Sequence, residues 1–579
     1  MRLQNQDITI TQASALAVVK EVHNLTAALG AFEVVSKQRN GVTYPAFATL
    51  PASLGEMFKN AAETHAAKEF LVYGAERYSY AQLYEKALCF SHILRQDFKL
   101  KKGDKVIIAM RNYPEWMIAF MGITLLGAVV VPVNAWLAQQ ELLHVVKHSQ
   151  GRMVISDDKR YDLLKDGLKV LDLPCLIARP NQQQGKQNCL MSRIAAGLNT
   201  DFKKGELVAE NILLGDTASI FYTSGSTGSP KGAVSSHESI LTAINTWLML
   251  GAAAGIANGT EDLEPEYPPA ALITVPLFHV TGCHTLFLLS MIIGRKTVMM
   301  PYWDAGMALE LIEKERVSYF NGVPTMSMEL MEHAKKDHYD LSSLTDICAG
   351  GAARAPDHVR KISQSFSHGN PSCGYGLTET NALGAVNGPL EYLAKPTSAG
   401  LPTPPIVEVQ IFDEQNHPLP QGEIGEIAIK TLANITQYWQ DPKATKAAFC
   451  KGYFKTGDLG FLDEEGFIHI VDRIKDIIIR GGENVSCLEV ESALYKHQQI
   501  IEASVFALPD PRLGEVVGAV VHIKNRKEID ELSLKSFLGK VIAHFKVPSK
   551  IWLLEEKLPR LGSGKIDKRG LKTHYQSLL

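Results

Sequence analysis

The chain holds 579 residues, too many for one hydrophobic core, which predicts at least two domains. Hydrophobic residues make up 46% and charged residues 21%, the balance of an ordinary globular protein. A formal net charge of −3 gives no electrostatic reason to expect nucleic acid as a partner.

The amino-terminal stretch MRLQNQDITITQASALAVVKEV has no unbroken apolar core, so no signal peptide is expected. Residues 1 to about 50 carry no assignable role. From about residue 70, short β-branched runs alternate with helical periodicity: DKVIIAM, GAVVVPV, GRMVISD, ASIFYTS, ALITVPL and KTVMMP. Strands spaced by helices predict α/β layers with largely parallel sheets. Trp116–Val133 is an uncharged run near membrane-spanning length, but Gly127 interrupts it, so it reads as helix, turn and buried strand. Tyr267–Gly294 carries three prolines and two histidines and reads as strand, loop and buried helix. No transmembrane segment is expected, while peripheral membrane contact stays open. The eight cysteines form no CxxC pair, which predicts reduced thiols and a cytoplasmic setting.

Near residue 397 the texture changes to closely spaced strands with turn residues (DEQNHP, PQGEIG) and little helix. A small, mostly antiparallel β-barrel or sheet is expected over about 397–471. Beyond GFIHIVDR, a hydrophobic strand, a Gly-Gly turn and an amphipathic helix open a compact α+β region, with a boundary around Arg473–Asp476. The predicted organisation is a large α/β domain over 1–472 and a smaller α+β domain over 473–579.

YTSGSTGSPKG (Tyr222–Gly232) follows the apolar run ASIF, so it reads as a strand entering a loop. Glycines let successive N–H groups face one point, hydroxyls add donors and Lys231 adds charge: an anion nest suited to polyphosphate. A P-loop is excluded by counting, since Pro230 lies five places after Gly225, Ala233 five after Gly228, and Gly232 follows Lys231. The features packed behind a buried strand also disfavour a plain flexible linker.

At this stretch the chain resembles the AMP-forming adenylate superfamily of acyl-CoA synthetases, adenylation domains and luciferases. The likeness continues in order through CAGGAARAP (348–356), GYGLTET (374–380), KTGDLG (455–460), DRIKDIIIRGGENV (472–485) and LPRLGSGKIDKR (558–569), and covers about residues 50–579. It implies that the small domain is mobile and that ATP, Mg²⁺ and a thiol, CoA first, meet an acid in one cleft. Thr223, Ser224, Gly225, Ser226, Thr227, Gly228 and Lys231 would hold the β- and γ-phosphates. Gly350, Gly351 and Ala352 would lie against adenine, with Tyr375 on its other face. Thr378 would bind the α-phosphate, Glu379 the magnesium, Asp458 and Arg473 the ribose side. Lys475 would be the hinge and Lys565 the cation of acid activation, while His279 would gate the acid pocket and the thiol's approach. Cys373 stands where many relatives carry a polar amide or acid.

The chemistry accounts for this inventory. A carboxylate is a poor electrophile; attack on the α-phosphate makes a mixed anhydride that a thiol then cleaves. Both transfers join anions, so catalysis rests on positioning and neutralisation of charge. Trp247, Leu248, Met249, Phe278, Val280, Gly282, Val323 and Met326 are apolar or small and suit a medium- or long-chain fatty acid, an aryl acid being the rival. LFHVTG lacks the aspartate expected for an amino acid. A carrier-protein thiol, a luciferase-type oxidase and a silent nucleotide binder are the other readings; the last conflicts with the presence of every expected polar residue. Zinc at His279, Cys283 and His284 is disfavoured, since no second ligand pair follows.

Overall fold

The computed structural model describes residues 8–181, 188–199, 211–223, 230–352, 354–562 and 564–578, with side chains from residue 17 onward. Among them, two large sheets build the α/β layers. The first has seven strands, in the order Gln437–Tyr438, Lys231–Ser236, Thr217–Thr223, Val129–Pro132, Lys105–Ala109, Met153–Asp157 and Cys175–Ala178. The last five run parallel. Its strands read as continuous apolar runs because both faces are covered. Val106 and Ile108 pack into one core with Trp116 and Phe120; Ile107 and Ala109 pack into another with Val131 and Val154. The helix Pro114–Leu125 and the strand Val129–Pro132, joined through Gly127 at φ +76°, are the helix, turn and strand expected of that uncharged run.

The second sheet has nine strands and is parallel through Asn370–Tyr375, Asp346–Gly350, Tyr319–Gly322, Ala270–Ile273, Lys296–Met299 and Glu69–Tyr73. The buried helix expected after its Ala270–Ile273 strand starts as a π-helix, Thr281–Leu288, before turning α over Leu289–Ile293. A wholly antiparallel sheet follows: Glu408–Phe412, Gly425–Lys430, Tyr453–Leu462, Phe449–Cys450 and Ile468–Arg473. The carboxyl-terminal sheet pairs Ile478–Arg480, Glu483–Val485, Ile500–Asp510, Gly514–Ile523 and Lys550–Leu554 around its own core.

The amino-terminal helix Ile8–Thr26 and hairpin Val34–Phe47 pack Val22 and Phe47 against Met249 and Ala253 of the helix His237–Asn258. Among the described helices, His237–Asn258 alone is long and apolar enough to cross a membrane. Its first two turns, His237 to Ile244, are buried among the large domain's strands and helices. All eight cysteines are free; Cys89, Cys283 and Cys487 are buried and the others half-buried.

Candidate active site

Three parallel strands end level with one another: Gly322 pairs with Ala349, and Gly350 with Gly374. The carboxyl ends of such strands are where open α/β sheets bind ligands. Gly351 follows at φ +77°, a conformation that favours glycine. A β-carbon built there would lie 3.1 Å from Lys565 Cε and 3.2 Å from its Nζ, so the carboxyl-terminal lysine rests directly over the expected adenine loop. Ala352, the third residue of that loop, is exposed.

One wall is a polar relay built on the antiparallel sheet. Asp458 and Arg473 face each other across the ladder, and Arg473 Nε donates to Asp458 Oδ1 at 2.7 Å. The Tyr375 hydroxyl donates to the other carboxylate oxygen, also at 2.7 Å. Burial pushes the Asp458 carboxyl up; Arg473 and the Tyr375 bond oppose that shift. Each carboxylate oxygen keeps lone-pair capacity for a further donor.

Thr378 starts the single 3₁₀ turn Thr378–Thr380, which presents Glu379. Tyr438, unmarked by any motif, donates its hydroxyl to Glu379 Oε1 at 2.9 Å, and the Ile435 N–H donates to the Glu379 carbonyl. Burial raises the Glu379 carboxyl above its ordinary range. Lys231 lies 5.0 Å from the centre of the Tyr438 ring, so one tyrosine links the phosphate-loop lysine to the expected metal carboxylate. Lys231 and Thr223 are paired across a hairpin. Ser224, Gly225, Ser226, Thr227 and Gly228 lie outside the described residues.

Lys565 keeps solvent access although its ammonium stands beside Gly351 and within reach of the Arg473 and Asp458 charges. Desolvation first, then Arg473, lowers its ammonium to about 8, with Asp458 opposing. His279 is lowered to about 3 by burial and, second, by Lys565; it is neutral at ordinary pH, and its Nε2 has no hydrogen-bond partner among the described residues. His284 Nε2 is held by Asn381 Oδ1 at 3.0 Å. Among the described residues no three metal-ligating side chains come together as a metal site. Lys475 is exposed in the turn between Ile468–Arg473 and Ile478–Arg480, where the two sheets hand over the chain. Cys373 is pushed up to about 12 by burial, with its sulfur near the Ser398 and Ala399 carbonyls.

The apolar residues expected around the acid are divided among three cores. Val280 packs with the large core, Val323 and Met326 with a second, and Met249 with the amino-terminal helix. Of these, Met326 and Val323 approach the lysine loop: a β-carbon on Gly564 would lie 3.1 Å from Met326 Cε and 3.4 Å from Val323 Cγ2.

Residues 58–439 match the family model described as AMP-binding enzyme, and residues 489–565 match the AMP-binding enzyme C-terminal domain. A long-chain-fatty-acid–CoA ligase of Bacillus subtilis (strain 168) is 32% identical over 84% of this chain and 90% of its own length. A feruloyl-CoA synthase of an Amycolatopsis species is 30% identical over 87% of this chain and 95% of its own length. The solved structure of a Mycobacterium tuberculosis fatty acyl CoA synthetase superposes with a TM-score of 0.68 at 28% identity, covering 91% of this chain and 99% of that one.

Proposed function

Because the chain belongs to the AMP-binding enzyme family and is an AMP-forming acid–thiol ligase, we propose that it joins a medium- or long-chain fatty acid to coenzyme A through an acyl-adenylate. The observation that carries this reading is Lys565 resting against Gly351 in the same recess as Asp458, Arg473 and Tyr375. A cation there can neutralise the meeting of a carboxylate with the α-phosphate, which is the main barrier to the first transfer.

In the first step a carboxylate oxygen of the acid bonds to the α-phosphorus and the bond to pyrophosphate breaks. Lys565 holds the acid and the phosphate oxygens together; Thr378 orients the α-phosphate. Thr223, Lys231 and the serines, threonine and glycines between them hold the departing phosphates. Glu379, a half-buried carboxylate steadied by Tyr438, suits a hard oxygen-seeking cation, and magnesium held there would neutralise phosphate charge. Asp458 accepts from the ribose hydroxyls, with Arg473 beside it, and Tyr375 stacks on adenine. In the second step the thiol sulfur bonds to the acyl carbon and AMP leaves. His279, uncharged, borders the acid and the incoming thiol. We assign 1–472 to the large domain and 473–579 to a small domain turning about Lys475; Arg473, paired with Asp458 in the ladder and ahead of the hinge, stays with the wall while Lys565 withdraws between the two steps. The free thiols support a cytoplasmic setting.

An aryl acid is the second reading. It rests on the feruloyl-CoA synthase relative and on two buried polar atoms without a partner among the described residues: Asn321 Oδ1, 4.0 Å from a β-carbon built on Gly350, and His284 Nδ1. The test is acid-dependent ATP–pyrophosphate exchange across fatty and aryl acids, followed by thioester formation with CoA. Exchange with fatty acids and capture by CoA is the expected result. Exchange with aryl acids alone selects the second reading; exchange without a CoA thioester selects a carrier protein; none with any acid refutes the ligase.

A further inference from the structure

The loop that carries Lys565 is closed on itself. The Leu561 N–H donates to the Lys565 carbonyl at 2.8 Å, the Gly564 N–H to the Leu561 carbonyl at 2.9 Å, and Arg560 pairs with Ile566 as a bridge. Arg560 Nη1 donates to the Gly564 carbonyl at 3.0 Å and also reaches Thr325 Oγ1 on the large domain. A further contact with the large domain is an aromatic ring. A β-carbon built on Gly562 would lie 2.2 Å from Trp136 Cδ1, 2.6 Å from Cγ and 2.7 Å from Cβ, so only glycine fits against that indole. Gly562 has no left-handed φ, so its backbone would accept alanine and the approach of Trp136 is what demands glycine.

Trp136 is itself held in place. Its backbone N–H donates to Asn134 Oδ1 at 2.9 Å. Arg160 Nε donates to the Ala135 carbonyl at 2.6 Å, and the same guanidinium is paired with Asp157. The Arg111 guanidinium lies 4.0 Å from the centre of the indole ring and stacks on it. The ring is nevertheless 45% exposed, so it is a platform standing out from the large domain rather than a core side chain.

We propose that Trp136 is a positioning residue for Lys565: the indole, stiffened by Arg111 and Arg160, is the stop against which Gly562 seats, and this contact sets how far the lysine reaches over Gly351. Arg560 ties one side of the loop to Thr325, and Trp136 limits the other. The inference rests on the reading that Lys565 acts in the adenylating step. It adds that the reach of the lysine depends on a residue more than 400 positions earlier in the chain.

The test is a double-mutant cycle read in two assays. Gly562→Ala is expected to lower acid-dependent pyrophosphate exchange by roughly 10- to 100-fold in kcat, the scale for a catalytic group misplaced by about an ångström. Trp136→Ala is expected to lower it less. In the Trp136→Ala background, Gly562→Ala is expected to cost far less than it does alone, because the indole is gone and only the β-carbon of residue 136, 2.7 Å from the added methyl, still has to shift. Thioester formation from supplied acyl-AMP should be unchanged in all three variants, a split that a general loss of structure would not produce. Additive losses, or equal losses in both assays, would overturn the proposal. Lys565→Ala run alongside separates the two ideas: if it leaves exchange intact, the reading of Lys565 fails; if it abolishes exchange while the cycle is additive, only the role of Trp136 fails.

Discussion

The two halves of the cleft are built on different terms. The wall formed by Tyr375, Asp458 and Arg473 is written into a sheet: a ladder pair sets Asp458 opposite Arg473, and Asp458 is 3% exposed. The loop that brings Lys565 is held to the large domain by side-chain contacts at Thr325, Glu329, Met326 and Trp136, without a shared ladder among the described residues. Backbone ladders are cooperative and costly to break; a few side-chain contacts release together at small cost. The fixed half suits a nucleotide that stays through both transfers, and the releasable half suits a cation wanted for only one.

The largest effect should fall on the releasable half. Lys565→Ala is expected to lower acid-dependent pyrophosphate exchange by about 10²–10³-fold, the scale for removing one group that stabilises developing charge. Thioester formation from supplied acyl-AMP should largely survive. Equal loss in both assays would erase the distinction between the halves. Asp458→Ala tests the wall and should behave oppositely, weakening both transfers together. A charged hydrogen bond contributes about 1.5–3 kcal/mol, so roughly a 10- to 100-fold rise in KM for ATP and for acyl-AMP is expected. A loss confined to the first transfer would move Asp458 to the releasable side. Tyr438→Phe should act more gently, by removing the hydroxyl that steadies Glu379. About tenfold weaker magnesium dependence of exchange, with little change in thioester formation, is the expected result. Unchanged magnesium dependence would leave Tyr438 a structural bond only.

The same division explains what could be read from residues alone. Alternating apolar runs were enough for the parallel strands, because a sheet covered on both faces needs every position apolar and Val106 to Ala109 supply that. Tyr375, Asp458 and Arg473 come together, and Lys565 comes against Gly351, since motif glycines and acids sit at strand ends, where chemistry and turn geometry require the same residue types. Tyr438 was not legible: a tyrosine 59 positions from Glu379 has no local signature of the bond it makes. Trp136 was hidden for the same reason, and nothing in the sequence marks Gly562 as its partner. The π-wound start of Thr281–Leu288 has the same apolar composition as an α-helix and differs only in backbone bonding. The apolar residues read as suiting the acid have no such signature, because apolarity marks burial in any core; Met249, for one, packs with the amino-terminal helix.

The smallest effect is one of pH, and it belongs to the releasable half alone. The Lys565 ammonium is lowered to about 8 by desolvation and by Arg473. Its useful form is the protonated one, so activity carried by it is full below that value and is lost as pH rises through it. The kcat/KM for pyrophosphate exchange, which reports the free enzyme, should therefore be about halved near pH 8 relative to pH 7. Bound anions favour the charged ammonium, so the corresponding fall in kcat should begin at higher pH. Thioester formation from acyl-AMP, which the lysine has left, should show no such fall tied to Lys565. A kcat/KM profile for exchange that stays flat from pH 7 to pH 10 would mean that the charge on Lys565 does not enter the step, whatever its position over Gly351.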